Sequence, residues 1–381
     1  MTSYKRLGEF IEPIDERNSD LKVKLAQGIN NNKYFQAPKQ VATNSRADKI
    51  VRTGYFAYNR ATTRNGDKIS IAYRQGPDCT VSSAYQVFRI KNKKLLNPKY
   101  LMMWYKRPDF DRYALYMSKG SAHEFFNWEE MCDVMLPVPS IDEQNRIVAE
   151  YEAIDNRISV NKRIIEKLEQ TAMTLYRHTF VEGIDQDNPP EGWEVGHISD
   201  LGEIVSGATP STEHPEYWTN DGIHWLSPAD LSKQNKKFIS RGDRDITEAG
   251  YKSASTRMLP TGSVLFSSRA PIGLLGIAVN EVCTNQGFKS IIPKKEIGNG
   301  YVYYTLKHMK EMIASQNTGS TFAEVSGKTL GQYSVVLPPQ GLLVDFQSII
   351  EKLFRYQYSL EKEISILSTV NSLRLNSLEK K

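Results

Sequence analysis

Several short stretches of the chain have the residue types for chemistry without the spacing that the chemistry needs. Asn188-Pro189-Pro190 matches the start of the motif with which DNA amino-methyltransferases hold the amine of a flipped base. The fourth position is Glu191, where stacking on a base requires an aromatic ring, and no glycine-rich strand-to-helix turn for a methyl donor is visible. Ser326-Gly327-Lys328-Thr329 ends like a phosphate-binding loop, yet Phe322 stands where that loop requires its first glycine. A metal-dependent nuclease needs clustered carboxylates with a lysine. The only D/E-x-K triplets are Asp20 to Lys22 and Glu379 to Lys381, at opposite ends of the chain. The six histidines are scattered without metal-ligand spacing. Cys79, Cys132 and Cys283 are far apart and odd in number, which fits buried thiols rather than a disulfide framework or a zinc site. The chain alone is therefore expected to have no catalytic or metal site.

The elements that would position any site come from a repeat. Leu7-Gly8-Glu9 recurs as Leu201-Gly202-Glu203, Thr53-Gly54 and Arg60-Ala61 recur as Thr261-Gly262 and Arg269-Ala270, and Gly120-Ser121 recurs as Gly319-Ser320. A proline then closes each copy, Pro139 and Pro338, and a helical stretch follows. Ser140 and Glu143 fit a capping box, and Asp142 suits the positive end of a helix. Steps of four and three from there give the seam Ile147, Tyr151, Ile154, Ile158, Asn161, Ile165 and Leu168, running on through Ala172 and Leu175. The same seam recurs as Phe346, Ile350, Leu353, Gln357, Leu360, Ile364 and Leu367. Helices of about 40 residues reach roughly 60 Å, and neither can bury such a stripe by itself. Antiparallel pairing satisfies both, with Asn161 helping to fix the register.

The linker Asp185 to Gly192 is polar and rich in Pro and Gly, so it ends the first helix. Ile69 to Tyr73 and Val264 to Phe266 predict strands, and Pro98 to Met117 and Tyr301 to Ser315 predict short helices. The expected fold class is α+β. Two mixed α/β domains, residues 1–139 and 185–339, are separated by long helices at 140–184 and 340–381 that form an antiparallel coiled-coil spacer with approximate two-fold symmetry. Of the net charge of +5, residues 1–139 carry +9 and residues 181–339 carry −4. The basic first segment fits a polyanion such as nucleic acid, and also an ordinary solvated surface. No apolar run is long enough to span a bilayer and the start has no signal segment, so the expected location is the cytoplasm, without membrane contact.

With those elements in place, the chain resembles a family, the specificity (S, HsdS) subunits of Type I restriction-modification systems. The second domain has Gly207-Ala208-Thr209-Pro210-Ser211, then Glu216-Tyr217-Trp218, Ile223-His224-Trp225-Leu226-Ser227 and Asp230-Leu231. These resemble the start of a target-recognition domain. Its entry, Pro190-Glu191-Gly192-Trp193, and the exits Pro139-Ser140-Ile141-Asp142-Glu143-Gln144 and Leu337-Pro338-Pro339 also match. The first domain lacks the GxTPS and YW elements, and Gln340-Gly341-Leu342-Leu343 replaces the Glu-Gln of the first exit.

The resemblance implies a DNA-binding, non-catalytic subunit with two target-recognition domains, each reading one half of a bipartite site in double-stranded DNA. It implies two methyltransferase (HsdM) subunits gripping the helices and carrying S-adenosylmethionine. Restriction (HsdR) subunits would use ATP and Mg2+, and an anti-restriction DNA mimic is a further partner of this kind. No cofactor would bind this chain itself.

Base edges are read chiefly by Arg, Lys, Asn and Gln, while Ser, Thr and backbone amides hold phosphates. In the first domain these types fall at Arg60, Thr62, Thr63, Arg64, Asn65 and Lys68, and in the loop Lys119, Gly120, Ser121 and His123. In the second they fall at Thr209 and Ser211, at Ser267, Ser268 and Arg269, and at Thr318, Gly319, Ser320 and Thr321. Two other readings stay open: a coiled-coil scaffold that never touches DNA, and a single-chain restriction-modification enzyme, which the missing catalytic motifs disfavour.

Overall fold

The computed structural model of the chain describes residues 4–38, 45–61, 68–118, 125–269, 271–317 and 324–380. It divides into two compact units, Met1–Ser159 with Ser365–Lys381, and Val160–Ile364. Each unit holds one mixed α/β domain, and each long helix is divided between the units.

In the first unit a four-stranded antiparallel sheet has the order Ile11–Ile14, Tyr85–Ile90, Phe56–Asn59, Ile71–Tyr73. Val87, Phe88 and Ile90 are buried and Arg89 faces solvent, while Phe88 stacks on Phe56 with ring centroids 5.0 Å apart. The helix Pro98–Tyr105 packs here. Asn97 caps it by accepting from the Lys99 amide at 2.8 Å, and Pro98 stands where no amide hydrogen is needed. A second helix, Pro108–Ser118, follows, and a short strand, Met135–Pro137, returns to pair with Tyr4–Arg6.

In the second unit five strands have the order Gly202–Ser206, Lys289–Pro293, Val264–Phe266, Leu275–Ala278, Phe238–Ile239. Its first four strands repeat the order of the first domain's sheet. Val264, Leu265 and Phe266 are all buried, as a central strand covered on both faces requires. The helix Asn299–Gln316 corresponds to the pair at 98–118. Between Gly202–Ser206 and Val264–Phe266 in sequence the second domain also has Trp218–Thr219, Ile223–Leu226 and Asp245–Ile246, which with Cys283–Thr284 make a separate small sheet.

Backbone hydrogen bonds fix the true register of the repeat. The Lys91 amide donates to Phe10 O at 2.8 Å and the Lys294 amide to Leu201 O at 3.0 Å, so Leu201 corresponds to Phe10, not to Leu7. Likewise the Phe126 amide donates to Arg60 O and the Val325 amide to Ser268 O, so Arg60 corresponds to Ser268 and Ala61 to Arg269. The Thr-Gly turns are equivalent as expected: Gly54 has φ +92° and Gly262 φ +89°, a backbone that favours glycine.

The first long helix is Ile141–Phe180 and the second Gln340–Ser377. Gln144 fastens the first to its domain, donating to Leu95 O at 3.0 Å and accepting from the Asn97 amide at 2.8 Å. Gln347, one turn further along in its repeat, does the same in the second helix. It accepts from the Gly300 amide at 3.1 Å and donates to Asn299. The exit without Glu-Gln thus keeps its glutamine, displaced by a turn.

In the first unit the start of the first helix lies with the end of the second: Arg374 pairs with Glu150 at 2.6 Å, and Ile147 and Tyr151 join Leu375 and Leu378 in the domain core. In the second unit the end of the first helix lies with the start of the second, Phe180 and Phe346 meeting edge to face at 4.9 Å. The helices therefore run antiparallel within each unit. Ile147, Tyr151, Ile158, Phe346, Ile350 and Leu360 are buried, and Ile154, Ile165, Leu168, Leu353, Ile364 and Leu367 half-buried. Toward the end of the first helix Tyr176, not Leu175, takes the fully buried place. Asn161 is wholly buried with both amide atoms unpartnered among the described residues, a cost of about 1–3 kcal/mol that suits a register-setting residue.

Candidate nucleic-acid interface

Each domain brings a strand end and a returning loop to one place. In the first, the strand Phe56–Asn59 runs on to Arg60 and Ala61, Ala61 bridges Phe125, and the Arg60 guanidinium lies 5.6 Å from the Phe125 ring centroid. Thr62, Thr63, Arg64, Asn65, Lys119, Gly120, Ser121 and His123 lie outside the described residues, in the two segments that begin and end at this bridge. Beyond the first segment Lys68 is exposed. The chain is then anchored by the Ile69 amide, which donates to Asp111 at 3.2 Å, and Asp111 is itself in a buried pair with Lys33 at 2.5 Å. Burial pulls the Lys33 ammonium below its ordinary range against the pull of Asp111.

The second domain builds the same corner. Arg269 bridges Glu324, with 3.9 Å between guanidinium and carboxylate, and Thr318, Gly319, Ser320 and Thr321 lie outside the described residues just before it. Ser267 and Ser268 do not belong on an interface. Both are fully buried, and the Ser267 hydroxyl is engaged with Pro271 O and the Leu274 amide, each at 2.7 Å. Successive side chains point to opposite faces, and both faces are covered along this strand, as Val264–Phe266 already shows, so both hydroxyls are buried and Arg269 is the first side chain to reach the rim.

The Gly207–Ser211 turn lies beside this corner and is heavily braced. A Cβ on Gly207 would meet Thr284 O and Asn285 O at 2.2 Å, so only glycine allows the turn to sit against the Thr284–Phe288 turn. The Trp225 indole donates to Ala208 O at 3.0 Å and the Trp218 indole to Ser211 O at 3.2 Å; the two rings meet edge to face. Asp230 caps its helix by accepting from Ser227 and also holds the Asp243 amide at 2.9 Å. The YW, W-L-S and D-L elements thus act as a scaffold for the turn. Thr209 and Ser211 remain exposed on it, and the Thr209 hydroxyl donates to Gln286.

Sequence reasoning missed Gln286, and also Lys289, whose ammonium lies 3.3 Å from Gln286 O and 3.5 Å from Glu324. Lys289 is in a strand predominantly buried, where a charge is not expected from pattern alone. The Ser326-Gly327-Lys328-Thr329 stretch is a helix start: the Ser326 hydroxyl accepts from the Thr329 amide at 3.0 Å. Among the described residues no group of three or more His, Cys, Asp or Glu is disposed to hold a metal. No described helix is long and apolar enough to cross a membrane.

The sequence model for the type I restriction modification DNA specificity domain matches residues 4–170 and again 190–367, and the chain belongs to that family. It is similar to the Type I restriction enzyme MjaIX specificity subunit of Methanocaldococcus jannaschii, 45% identical over 39% of this chain. That match spans 35% of the relative's length. Similarity to the Type I restriction enzyme HindI specificity subunit of Haemophilus influenzae is 20% identity over 87% of both chains. The S subunit of a Type-I restriction-modification system from M. genitalium has the same fold, with a TM-score of 0.58 and 13% identity over 100% of this chain and 96% of that one.

Proposed function

We propose that this chain is the DNA-recognition subunit of a type I restriction-modification assembly, that each of its domains reads one half of a bipartite double-stranded target, and that the long helices dock methyltransferase subunits. The observation that carries this reading is the duplicated corner. One strand frame occurs twice, and each copy ends in an arginine, Arg60 or Arg269, beside a polar segment, with different side chains in the two copies. Two similar frames with different tips suit two different half-sites better than a scaffold, which would need no polar corner at all. Sequence choice is then this chain's part, and methyl transfer with S-adenosylmethionine belongs to its partners. Restriction subunits with ATP and Mg2+, and a DNA-mimicking inhibitor, are further partners on the same reading.

Arg60→Ala and Arg269→Ala test it. If the arginine contacts a base, binding selection on randomised duplexes should show relaxed preference at one position of one half-site, worth about 1–3 kcal/mol. A loss equal on all sequences would assign that arginine to phosphate. No change in either variant would place the interface elsewhere.

A further inference from the structure

We infer that Gln286 is a base-reading residue of the second domain, selecting adenine in its half-site by a two-point amide contact; this rests on the DNA-recognition reading above. Gln286 is exposed at the tip of the turn closed by the Phe288 amide on Asn285 O at 3.2 Å. The turn's backbone is fixed without it. The Asn285 side chain accepts from the Gly287 amide at 2.9 Å, and the Ser268 amide donates to Gly287 O at 2.8 Å. That last bond places Arg269 beside the tip, on the corner already described.

The Gln286 side chain is nevertheless held. Its oxygen accepts from the Thr209 hydroxyl, and Thr209 lies on the turn that the Trp225 and Trp218 indoles brace. One lone pair of that oxygen remains, and the amide nitrogen has no partner among the described residues. A glutamine amide fixed in orientation, with one acceptor site and its N–H donors available, matches the N6 amine and N7 of adenine in the major groove. An orphaned amide on a flexible stem would pay the entropy of ordering on binding, and the Thr209 bond removes part of that cost. In the first domain the equivalent turn is Ser82 to Tyr85, closed by the same bond at 3.1 Å, with Ser83 at the tip. The frame is shared and the reading group differs.

The test is selection of bound sequences from a randomised duplex pool by the full chain purified with its methyltransferase subunits, for the parent, Gln286→Glu and Gln286→Ala. Glutamate keeps the bond from Thr209 but cannot donate to N7, and it accepts from cytosine N4 instead. The expected result is loss of an adenine preference of roughly five- to 150-fold at one position of one half-site in both variants, with cytosine gaining in Gln286→Glu. Every other position should keep its preference. Unchanged preference at every position, or an equal loss on all sequences, would overturn the assignment of Gln286 while leaving the DNA-recognition reading in place. A parent complex that enriches no sequence would overturn both.

Discussion

A chain ending at Phe180 is expected to purify as a dimer and, with methyltransferase subunits, to specify a palindromic target. Truncation there removes Leu375 and Leu378, which help close the first domain's core. It also removes Glu379, the partner of the Arg107 guanidinium, which is only 1% exposed. Arg374, the partner of Glu150, goes with them. The exposed strip is what the repeat can refill: the end of the first long helix carries Ala172, Tyr176 and Phe180 at the positions where the second carries Asn371, Leu375 and Glu379. A second copy, laid antiparallel, covers the strip with that stretch, and each copy covers the other. Two identical domains should then read two identical half-sites, whereas the full chain is expected to read two different ones. Sedimentation of the truncated chain gives the first answer and sequencing of modified bases the second. A monomer, or an asymmetric target, would rule out both the helix pairing and the assignment of one half-site to each domain.

Glu169→Gln should destabilise the second unit by about 3–5 kcal/mol at neutral pH, the range for breaking a buried pair from one side. Glu169, on the first long helix, accepts from both Lys237 and Lys307. Lys237 is 4% exposed in its side chain and sits among Tyr303, Tyr304 and Phe354, its ammonium 4.5 Å from the Phe354 ring centroid. Burial pulls Lys237 down to about 8 against the pull of Glu169. Burial pushes Glu169 up, but the two lysines outweigh it and hold its carboxyl below the usual value of 4.5. A carboxylate with a lower value in the folded than in the unfolded chain stabilises fully above 4.5, and the contribution fades as pH falls through the folded value. Parent and variant should therefore differ most at neutral pH and converge in acid. Thermal unfolding at both pH values checks this, and equal stability at neutral pH would refute it.

The repeat, the two long helices and the strand Val264–Phe266 were legible because each is a local pattern: a period, a cap or an apolar run. The Thr-Gly turns were legible for a stronger reason, since positive φ leaves little choice of residue. Leu7-Gly8-Glu9 and Arg60 were misaligned with their counterparts because short identical strings recur by coincidence, while the backbone bonds that fix the register are invisible in letters. Ser267 and Ser268 were expected at the interface by residue type, but they continue a strand covered on both faces, so neither side of the alternation reaches solvent. Glu169 and Lys237 are 68 residues apart in sequence, and no local pattern links an acid on a helix to a lysine between loop and strand. Gln286 carried no local signal either. Its meaning comes from Thr209, 77 residues away.

The first unit is assembled from both ends of the chain. Tyr4 donates to Glu379 O at 3.0 Å across 375 residues, and Leu378 is 1% exposed in the same core. During synthesis the first domain therefore emerges long before the strip that closes it. At about 5–20 residues per second, the roughly 200 residues after Phe180 take on the order of 10–40 s to appear. Throughout that interval the nascent first domain and its helix present an uncovered apolar strip, while the second domain is being made. On a crowded polysome the nearest complementary surface is the helix of a neighbouring nascent chain, so the pairing expected of the truncated protein is also the misassembly that the full chain must outrun.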